Sequence, residues 1–436
     1  MVFSPANLLQ ILQGLPVPKT YRVALSGGLD SVTLLHALHE IAASLDAPVE
    51  AVHVNHGLHG DALEWENFCE ALCASLGIPL ISLQLELQPM RGLSLEALAR
   101  EARYSIIAEQ QQEGEMLLTA HHGDDQAETL LLQLLRGAGV QGLASMPLLR
   151  DWQSGWLARP LLGFSRSELE AWAKAHGLRW REDPSNRETD IRRNYLRHEV
   201  IPLLREQWPG LVATLGRSAR HCAEAARILG EAAEEDLMLI LDLAKPWQLP
   251  LQGLEALSPE RRKNLLRYWI GSRDLPLPPE KVLARVQQEL IPAREDAVPQ
   301  VDWEGGQLRR YRGQLYLMPP LPKAPDKDLV VEWDGRDSLQ LPQGLGRLAL
   351  KEPASWLQDG VSIQFRQGGM KCQPAGREGE RSFKRLCQDL HIPPWLRPRI
   401  PLLVRDGKLL AVADYCLCDA PSNDNPLLWE RPEWLH

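Results

Sequence analysis

The segment Ser26-Gly27-Gly28-Leu29-Asp30-Ser31 constrains this chain more than any other, because it leaves the apolar run Tyr21 to Leu25 and opens an amphipathic stretch. A strand that turns tightly into a helix lays consecutive backbone N–H groups at the helix N-terminus, where unpaired donors and the positive dipole end attract an anion. Two glycines let the backbone approach a ligand with no Cβ in the way, and the serine hydroxyls add donors. Asp30 is the discordant member. A carboxylate beside phosphates repels them unless a cation lies between, so it implies Mg²⁺ held by Asp30. A plain helix cap would not need double glycine, acid and helix to coincide, and no lysine stands where a GxxxxGK[ST] loop requires one.

Around this loop the first 150 residues alternate short apolar runs with longer amphipathic stretches, the pattern of a parallel sheet covered by helices. Strands are predicted at Tyr21 to Leu25, Val49 to Val54, Pro79 to Leu83 and Met116 to Ala120. Helices are predicted at Ser31 to Leu45, Ala62 to Leu76, Ser94 to Gln112, Asp124 to Leu135, Ser167 to His176 and Arg193 to Trp208. An Ala-rich amphipathic stretch at Gly216 to Leu243 begins a region read as mainly helical, and after the linker Pro319 to Pro325 short β-like runs surround one helix near Arg381 to Leu390. The expected division is 1–214, 215–322 and 323–436. No apolar run approaches the ~18 residues of a membrane span, and Met1 to Gln10 lacks a leader pattern, so a cytoplasmic protein is expected. The seven cysteines are scattered without a CxxC pair and are expected to be reduced, mostly buried thiols.

A net charge of −9 is not the usual signature of a nucleic-acid binder. The average conceals a local feature. From Arg366 to Lys408 ten basic residues face four acids, a block of +6 that leaves −15 for the remainder.

Two further polar constellations end predicted strands, at the carboxyl edge where open α/β sheets bind ligands. His53, Asn55, His56 and His59 lie in HVNHGLHG; three histidines at a strand end do not share a face, which favours nucleotide or substrate contact over a metal site and leaves a solvated loop open. Thr119 to Thr129 contains His121, His122, Asp124, Asp125 and Glu128, whose carboxylates fall on one helical surface. Such acids either cap a helix through its dipole or hold Mg²⁺ or a cationic nucleophile. Glu96, Arg100, Arg103 and Tyr104 recur at helical spacing, Arg159 precedes Pro-Leu-Leu, and Arg192, Arg193, Asn194 and Arg197 follow Asp183-Pro-Ser-Asn186; a solvated face and phosphate contact both remain open for them.

SGGLDS resembles the pyrophosphate loop of the PP-loop ATPase superfamily, whose members cleave ATP between the α and β phosphates. The ordered set SGGLDS, HVNHGL, AREARY, TAHHGDDQAET, RPLL, DPSN and RRNYLR resembles the bacterial tRNA(Ile)-lysidine synthetase family. Phe365 to Gly369, Ile392 to Arg397 and Pro401 to Asp414 extend that resemblance over nearly the whole chain. It implies an α/β fold, a Rossmann-like parallel-sheet PP-loop domain followed by a helical domain and a small basic α+β domain. It further implies a ligase: the wobble cytidine of a CAU-anticodon isoleucine tRNA is adenylated by ATP, then free L-lysine displaces AMP to form lysidine, changing codon reading from AUG to AUA. ATP would lie on Ser26, Gly27, Gly28, Leu29, Asp30 and Ser31 with His53 and Asn55. Asp30, Asp125 and Glu128 would be catalytic, and lysine or cytidine would meet His121, His122, Asp124, Asp125 and Glu128. The tRNA would contact Arg103, Arg193, Asn194 and Arg197 near the chemistry and Arg366, Lys371, Arg381, Lys384, Arg385 and Arg397 on the basic block. A tRNA 2-thiolation enzyme of the same superfamily would need paired cysteines, and Cys69 and Cys73 lie away from the motif ends. A nucleotide-sensing tRNA-binding protein would not need carboxylates beside phosphates.

Overall fold

The computed structural model describes residues 2–55, 62–85, 95–182, 191–294, 297–352, 357, 360–365, 368–376, 379–420, 424–432 and 435. His56, His59, the 183–186 turn, Arg366 and Arg377 lie outside these, as do the side chains of Glu96 and Arg100. The chain divides into two compact units, Met1–Ile228 and Leu229–His436. Among the described residues no helix is long and apolar enough to cross a membrane.

The first unit runs α1 (Pro5–Gln13), β1 (Thr20–Ala24), α2 (Leu29–Glu40), β2 (Val49–Asn55), α3 (Ala62–Leu76), β3 (Leu80–Gln84), α4 (Leu95–Glu109), β4 (Glu115–Leu118) and α5 (Gly123–Leu135). It continues through α6 (Val140–Leu143), β5 (Leu149–Trp152), β6 (Gly155–Ala158), α7 (Arg166–Ala175), α8 (Arg192–Tyr195), α9 (Ile201–Gln207) and α10 (Leu211–Ile240), which runs past the unit boundary. The strands form one sheet ordered β3-β2-β1-β4-β6-β5, parallel throughout except that β5 runs antiparallel to β6. Successive side chains alternate between faces. Met116 and Leu118 therefore join the cluster containing Val23 and Leu35, while Leu117 joins Val52 and Leu157 on the other side. Each buried Leu or Val contributes about 1.5–3 kcal/mol, enough in aggregate to fix which face each helix covers.

Strand order reverses between β1 and β4, which opens a crevice at their carboxyl ends. All four predicted strands and the predicted helices up to Trp208 are present, within a few residues at their ends. The β5–β6 hairpin was not signalled, because Gln153 supplies its left-handed turn residue at φ 52 without an Asn-Gly pair. Gly155 there admits no side chain, since an added Cβ would come within 2.1 Å of the Glu115 carbonyl oxygen.

The second unit continues with β7 (Gln248–Pro250), α11 (Leu251–Glu255), α12 (Pro259–Gly271), α13 (Glu280–Arg285), β8 (Gln300–Trp303), β9 (Gly306–Tyr311) and β10 (Gln314–Met318). Beyond the expected helices, this stretch holds an antiparallel sheet ordered β7-β10-β9-β8 over Leu265, Leu266 and Trp269. Its β9–β10 turn, Arg312-Gly313, takes positive φ at both positions (48 and 73), the two-residue turn whose twist matches the strands. The remainder comprises β11 (Val330–Trp333), β12 (Leu339–Gln340), β13 (Arg347–Leu350), β14 (Val361–Gln364), β15 (Lys371–Cys372), β16 (Arg381–Ser382), α14 (Phe383–Asp389), β17 (Leu402–Arg405), β18 (Lys408–Val412), β19 (Cys416–Leu417) and β20 (Leu427–Glu430). A five-stranded sheet ordered β11-β14-β17-β18-β19 carries a core that includes Ile363, Phe383, Leu403 and Trp429.

Cys372 and Cys418 form a disulfide, with Cα atoms 5.4 Å apart, rather than the expected two reduced thiols. Their separation of 46 residues hid the pairing, which arises because a bridge between Pro374 and Cys418 brings the segment after β15 against the end of β19.

Candidate active site

The phosphate loop lies at the carboxyl end of β1, as a βα turn requires. Gly27 adopts φ +79, a conformation L side chains rarely take, and an added Cβ would meet Cys69 Sγ at 3.3 Å. Ser31 Oγ donates to the Gly28 carbonyl at 3.1 Å and accepts from Ser26 N–H at 3.2 Å, so this buried hydroxyl fastens the loop. Gly28 is the N-cap of α2 and offers no side-chain cap, which leaves the first-turn amides directed at the crevice. Asp30 sits in that first turn. Its Oδ2 is 3.6 Å from His122 Nε2, while its Oδ1 is buried without a hydrogen-bond partner among the described residues. An unpartnered buried carboxylate oxygen costs about 1–3 kcal/mol, and a hard divalent cation is the ligand class that would satisfy it.

His122 caps α5: its backbone N–H donates to Asp125 Oδ2 at 3.0 Å, and its Nδ1 accepts from Asp125 N–H at 3.4 Å. Burial alone would lower the imidazole pKa, but Asp125, Asp30 and Asp124 surround it and together raise it. Burial would likewise raise the Asp125 pKa; His122, Arg193 and His121 outweigh it and hold the carboxyl well below its ordinary range.

Glu128, one turn on, is 1% exposed and receives Arg193 Nε at 2.7 Å, Arg197 Nε at 2.6 Å and Arg197 Nη2 at 3.0 Å. Asp125 Oδ1 accepts from Arg193 Nη2 at 3.0 Å and Arg197 Nη2 at 3.1 Å. The two acids thus form a cradle for two guanidinium groups carried by α8 and the π-helical turn Leu196–Val200. Burial works against the charge on Arg197, yet its bond to Glu128 raises its pKa overall. Asp124 is engaged elsewhere, accepting from Arg205 Nη2 and, at 2.8 Å, from Arg166 N–H. Asn194, on α8, is buried, and His121 Nδ1 lies 2.8 Å from Thr119 Oγ1.

On the other side of β1, His53 Nδ1 donates to the Leu25 carbonyl at 2.9 Å. Asn55 Nδ2 donates to Glu66 Oε2 at 2.8 Å. Sequence reasoning missed Glu66. This buried carboxylate also accepts from Ser82 Oγ and Gln84 Nε2, bonds that hold its pKa below the ordinary 4.5. Arg159, singled out in the sequence, donates to the Pro147 carbonyl at 2.9 Å and braces the β-hairpin.

Two cavities open on this edge. One of about 440 Å³ is lined by Ser26, Gly28, Asp30, His53, Trp65, Arg103 and Arg197. The second, about 400 Å³, shares Leu29, Arg166, Glu182 and Arg197 with it and adds Asp124, Glu128, Glu170 and Arg205. Arg166, Glu170, Glu182 and Arg205 were not foreseen, since nothing in their local sequence distinguishes them from solvated helix positions. Cys69 and Cys73 are buried in the core, with burial pushing their thiols up to about 12 and about 11, which suits packing and not nucleophilic chemistry.

The basic block is more structural than its charge suggested. Arg397 donates to the Ile392 carbonyl, Arg399 is buried on the Trp395 carbonyl, and Arg405 holds the Gly360 carbonyl. Arg381 and Arg385 pair with Asp389, and Lys371 with Glu380 at 3.2 Å. Lys371, Lys384, Arg385 and Lys408 remain exposed.

Comparison with known proteins agrees with this architecture. Residues 5–204 match the model of the PP-loop domain, 249–316 that of the TilS substrate binding domain and 361–432 that of the TilS substrate C-terminal domain. The tRNA(Ile)-lysidine synthase of Coxiella burnetii is 43% identical over 424 residues, covering 96% of this chain and 94% of that protein. Those of Methylococcus capsulatus (40% identical, 92% of each chain) and Pseudomonas aeruginosa (43% identical, 98% and 97%) are similarly related. Among solved structures, a U34-tRNA thiolase from Methanococcus maripaludis is 18% identical over 50% of this chain and 77% of its own, with a TM-score of 0.43. Near-full-length identity at this level, over the same three matched regions, makes the chain a member of the tRNA(Ile)-lysidine synthase family.

Proposed function

We propose that this chain is an ATP-dependent ligase that adenylates the wobble cytidine of an isoleucine tRNA and then joins free lysine to it, acting in the cytoplasm. The observation that carries the reading is the meeting, on one sheet edge, of an uncapped phosphate loop, the unpartnered Asp30 oxygen and two acid-held arginines.

ATP fits the larger cavity, with its β and γ phosphates on the amides after Ser26 and its base toward Val52 to Val54. In the first step the cytidine O2 attacks the α phosphorus; the new O–P bond forms as the bond to the β phosphate breaks, and pyrophosphate leaves into the amide cradle. Asp30 is the residue to hold Mg²⁺, whose charge when bound offsets that developing on the pyrophosphate. In the second step the neutral ε-amine of lysine attacks carbon 2; the C–N bond forms as the bond from carbon 2 to the adenylated oxygen breaks, AMP leaves with that oxygen, and the amine's proton passes to solvent. Arg193 and Arg197 supply fixed positive charge beside the phosphorus, and Asp125 and Glu128 act through them by fixing their geometry. The smaller cavity suits lysine, a molecule with both charges: Glu170 and Glu182 face ammonium groups, and Arg166 and Arg205 face a carboxylate. We assign the chemistry to residues 1–214 and tRNA contact to 215–322 and 323–436, with Lys371, Lys384, Arg385 and Lys408 as phosphate contacts.

The test is incubation of the protein with tRNA, ATP and labelled lysine, followed by nucleoside analysis. Label in a modified cytidine, dependent on ATP, is expected; ATP cleavage without label in tRNA would overturn the assignment.

A further inference from the structure

The C-terminal core brings three sulfurs together. The Sγ atoms of Cys372, Cys416 and Cys418 all lie within 4.8 Å of one another, and all three residues are buried. Two of them, Cys372 and Cys418, are bonded. Cys416 and Cys418 are two apart on an extended segment, so their side chains leave the same face toward Cys372 on β15. We propose that these residues form a thiol–disulfide exchange site in which Cys372 is the shared sulfur and low-molecular-weight thiols and disulfides are the co-reactants.

Geometry selects the shared sulfur. Cα atoms two apart on a strand are separated by about 6.5 Å, near the upper end of what a disulfide spans, so Cys416 and Cys418 are poorly placed to bond each other. Cys372 approaches from a separate strand and meets either. In the internal step the Cys416 thiolate attacks Cys372 Sγ, a Cys372–Cys416 bond forms, the Cys372–Cys418 bond breaks, and Cys418 leaves as thiolate and takes up the proton Cys416 gave. No electrons are gained or lost. Net opening consumes two molecules of a monothiol, which become one small disulfide while two cysteine thiols are restored.

The location gives exchange a structural consequence. Backbone bonds already tie this region, Ala375 N–H to the Leu417 carbonyl at 3.0 Å and Asp419 N–H to the Gln373 carbonyl at 2.9 Å. The link adds a covalent tie at the strand carrying Lys371, whose pairing with β16 leads into α14 with Lys384 and Arg385. Moving the bond from Cys418 to Cys416 shifts that tie by two residues, from just beyond β19 to its first residue.

The experiment uses the full chain equilibrated in mixtures of reduced and oxidised glutathione, quenched by alkylation, with linked peptides identified by mass spectrometry. Oxidation of the wild type is expected to remove two of the cluster's three alkylatable thiols, always including Cys372. Cys418→Ala should move the link to Cys372–Cys416, Cys416→Ala should keep Cys372–Cys418, and Cys372→Ala should leave both remaining thiols alkylatable at every ratio. Thermal melts of each reduced variant verify folding. The proposal is overturned if folded Cys418→Ala keeps Cys372 and Cys416 alkylatable throughout, or if Cys416 and Cys418 link to each other. Retention of one equivalent of added Zn²⁺ by the reduced wild type, with all three thiols protected, would equally overturn it in favour of a metal site.

Discussion

Replacing Glu128 with Gln separates two roles that the residue type alone cannot distinguish. As a proton acceptor or lysine ligand, Glu128 would lose activity on substitution while the fold stayed intact. As the cradle of Arg193 and Arg197 it would lose both. The side chain is 1% exposed and the arginines 24% and 22%, so the cluster is largely shielded from water. Removing one partner of a buried ion pair costs about 3–5 kcal/mol, and the lower end applies because the Gln oxygen still accepts from one guanidinium and Asp125 Oδ1 from both. A loss of about 3 kcal/mol in the unit Met1–Ile228 corresponds to a melting-point drop of about 6–12 °C. Thermal unfolding of Glu128→Gln, Arg197→Gln and the double variant closes a cycle whose coupling should fall at the upper end of about 0.5–3 kcal/mol. The double variant should recover stability relative to Glu128→Gln and stay inactive. A melting point unchanged within about 1 °C in Glu128→Gln, with turnover abolished, would refute the cradle and restore Glu128 as a reacting group.

Asp30→Asn should lower ATP-dependent pyrophosphate release at least about a hundredfold with a near-normal melt, and wild-type turnover in that variant would remove Asp30 from the reaction. Gly27→Ala should cost about 1–2 kcal/mol of stability and weaken ATP binding, since φ +79 is retained only at strain; unchanged nucleotide affinity by calorimetry would show the loop tolerates a Cβ. Glu66 titrates below its ordinary 4.5, so the stability it contributes is present above pH 4.5 and is lost as pH falls through its lowered folded value. Urea unfolding of Glu66→Gln should therefore differ from wild type most above pH 4.5 and converge with it in acid, and a pH-independent difference would refute the linkage. Neutralising Lys384 and Arg385 should weaken tRNA binding and reduce its log–log salt slope by about 1 for each phosphate no longer neutralised, leaving ATP affinity unchanged. An unaltered slope would place the tRNA backbone on other residues.

The sequence determined whatever depends on neighbours along the chain. Alternating and helical periodicities placed the strands and helices of the first unit, because each element exposes its pattern within a dozen residues. SGGLDS announced its turn because Gly27 needs positive φ and Gly28 must leave the α2 amides uncapped, both local demands. What only the tertiary structure decided involves partners far apart in the chain. Asp125 and Glu128 read as acids available for chemistry until the fold brought Arg193 and Arg197, 65 to 72 residues away, onto them. Glu66, on α3, gave no signal because its donors come from β2 and β3, and part of the basic block turned out to hold backbone carbonyls. Cys372 and Cys418 carried no spacing motif, since their meeting depends on which strand edge β15 reaches. Side-chain ionisation, pairing and redox state follow from burial and through-space distance, and these arise only when the chain packs.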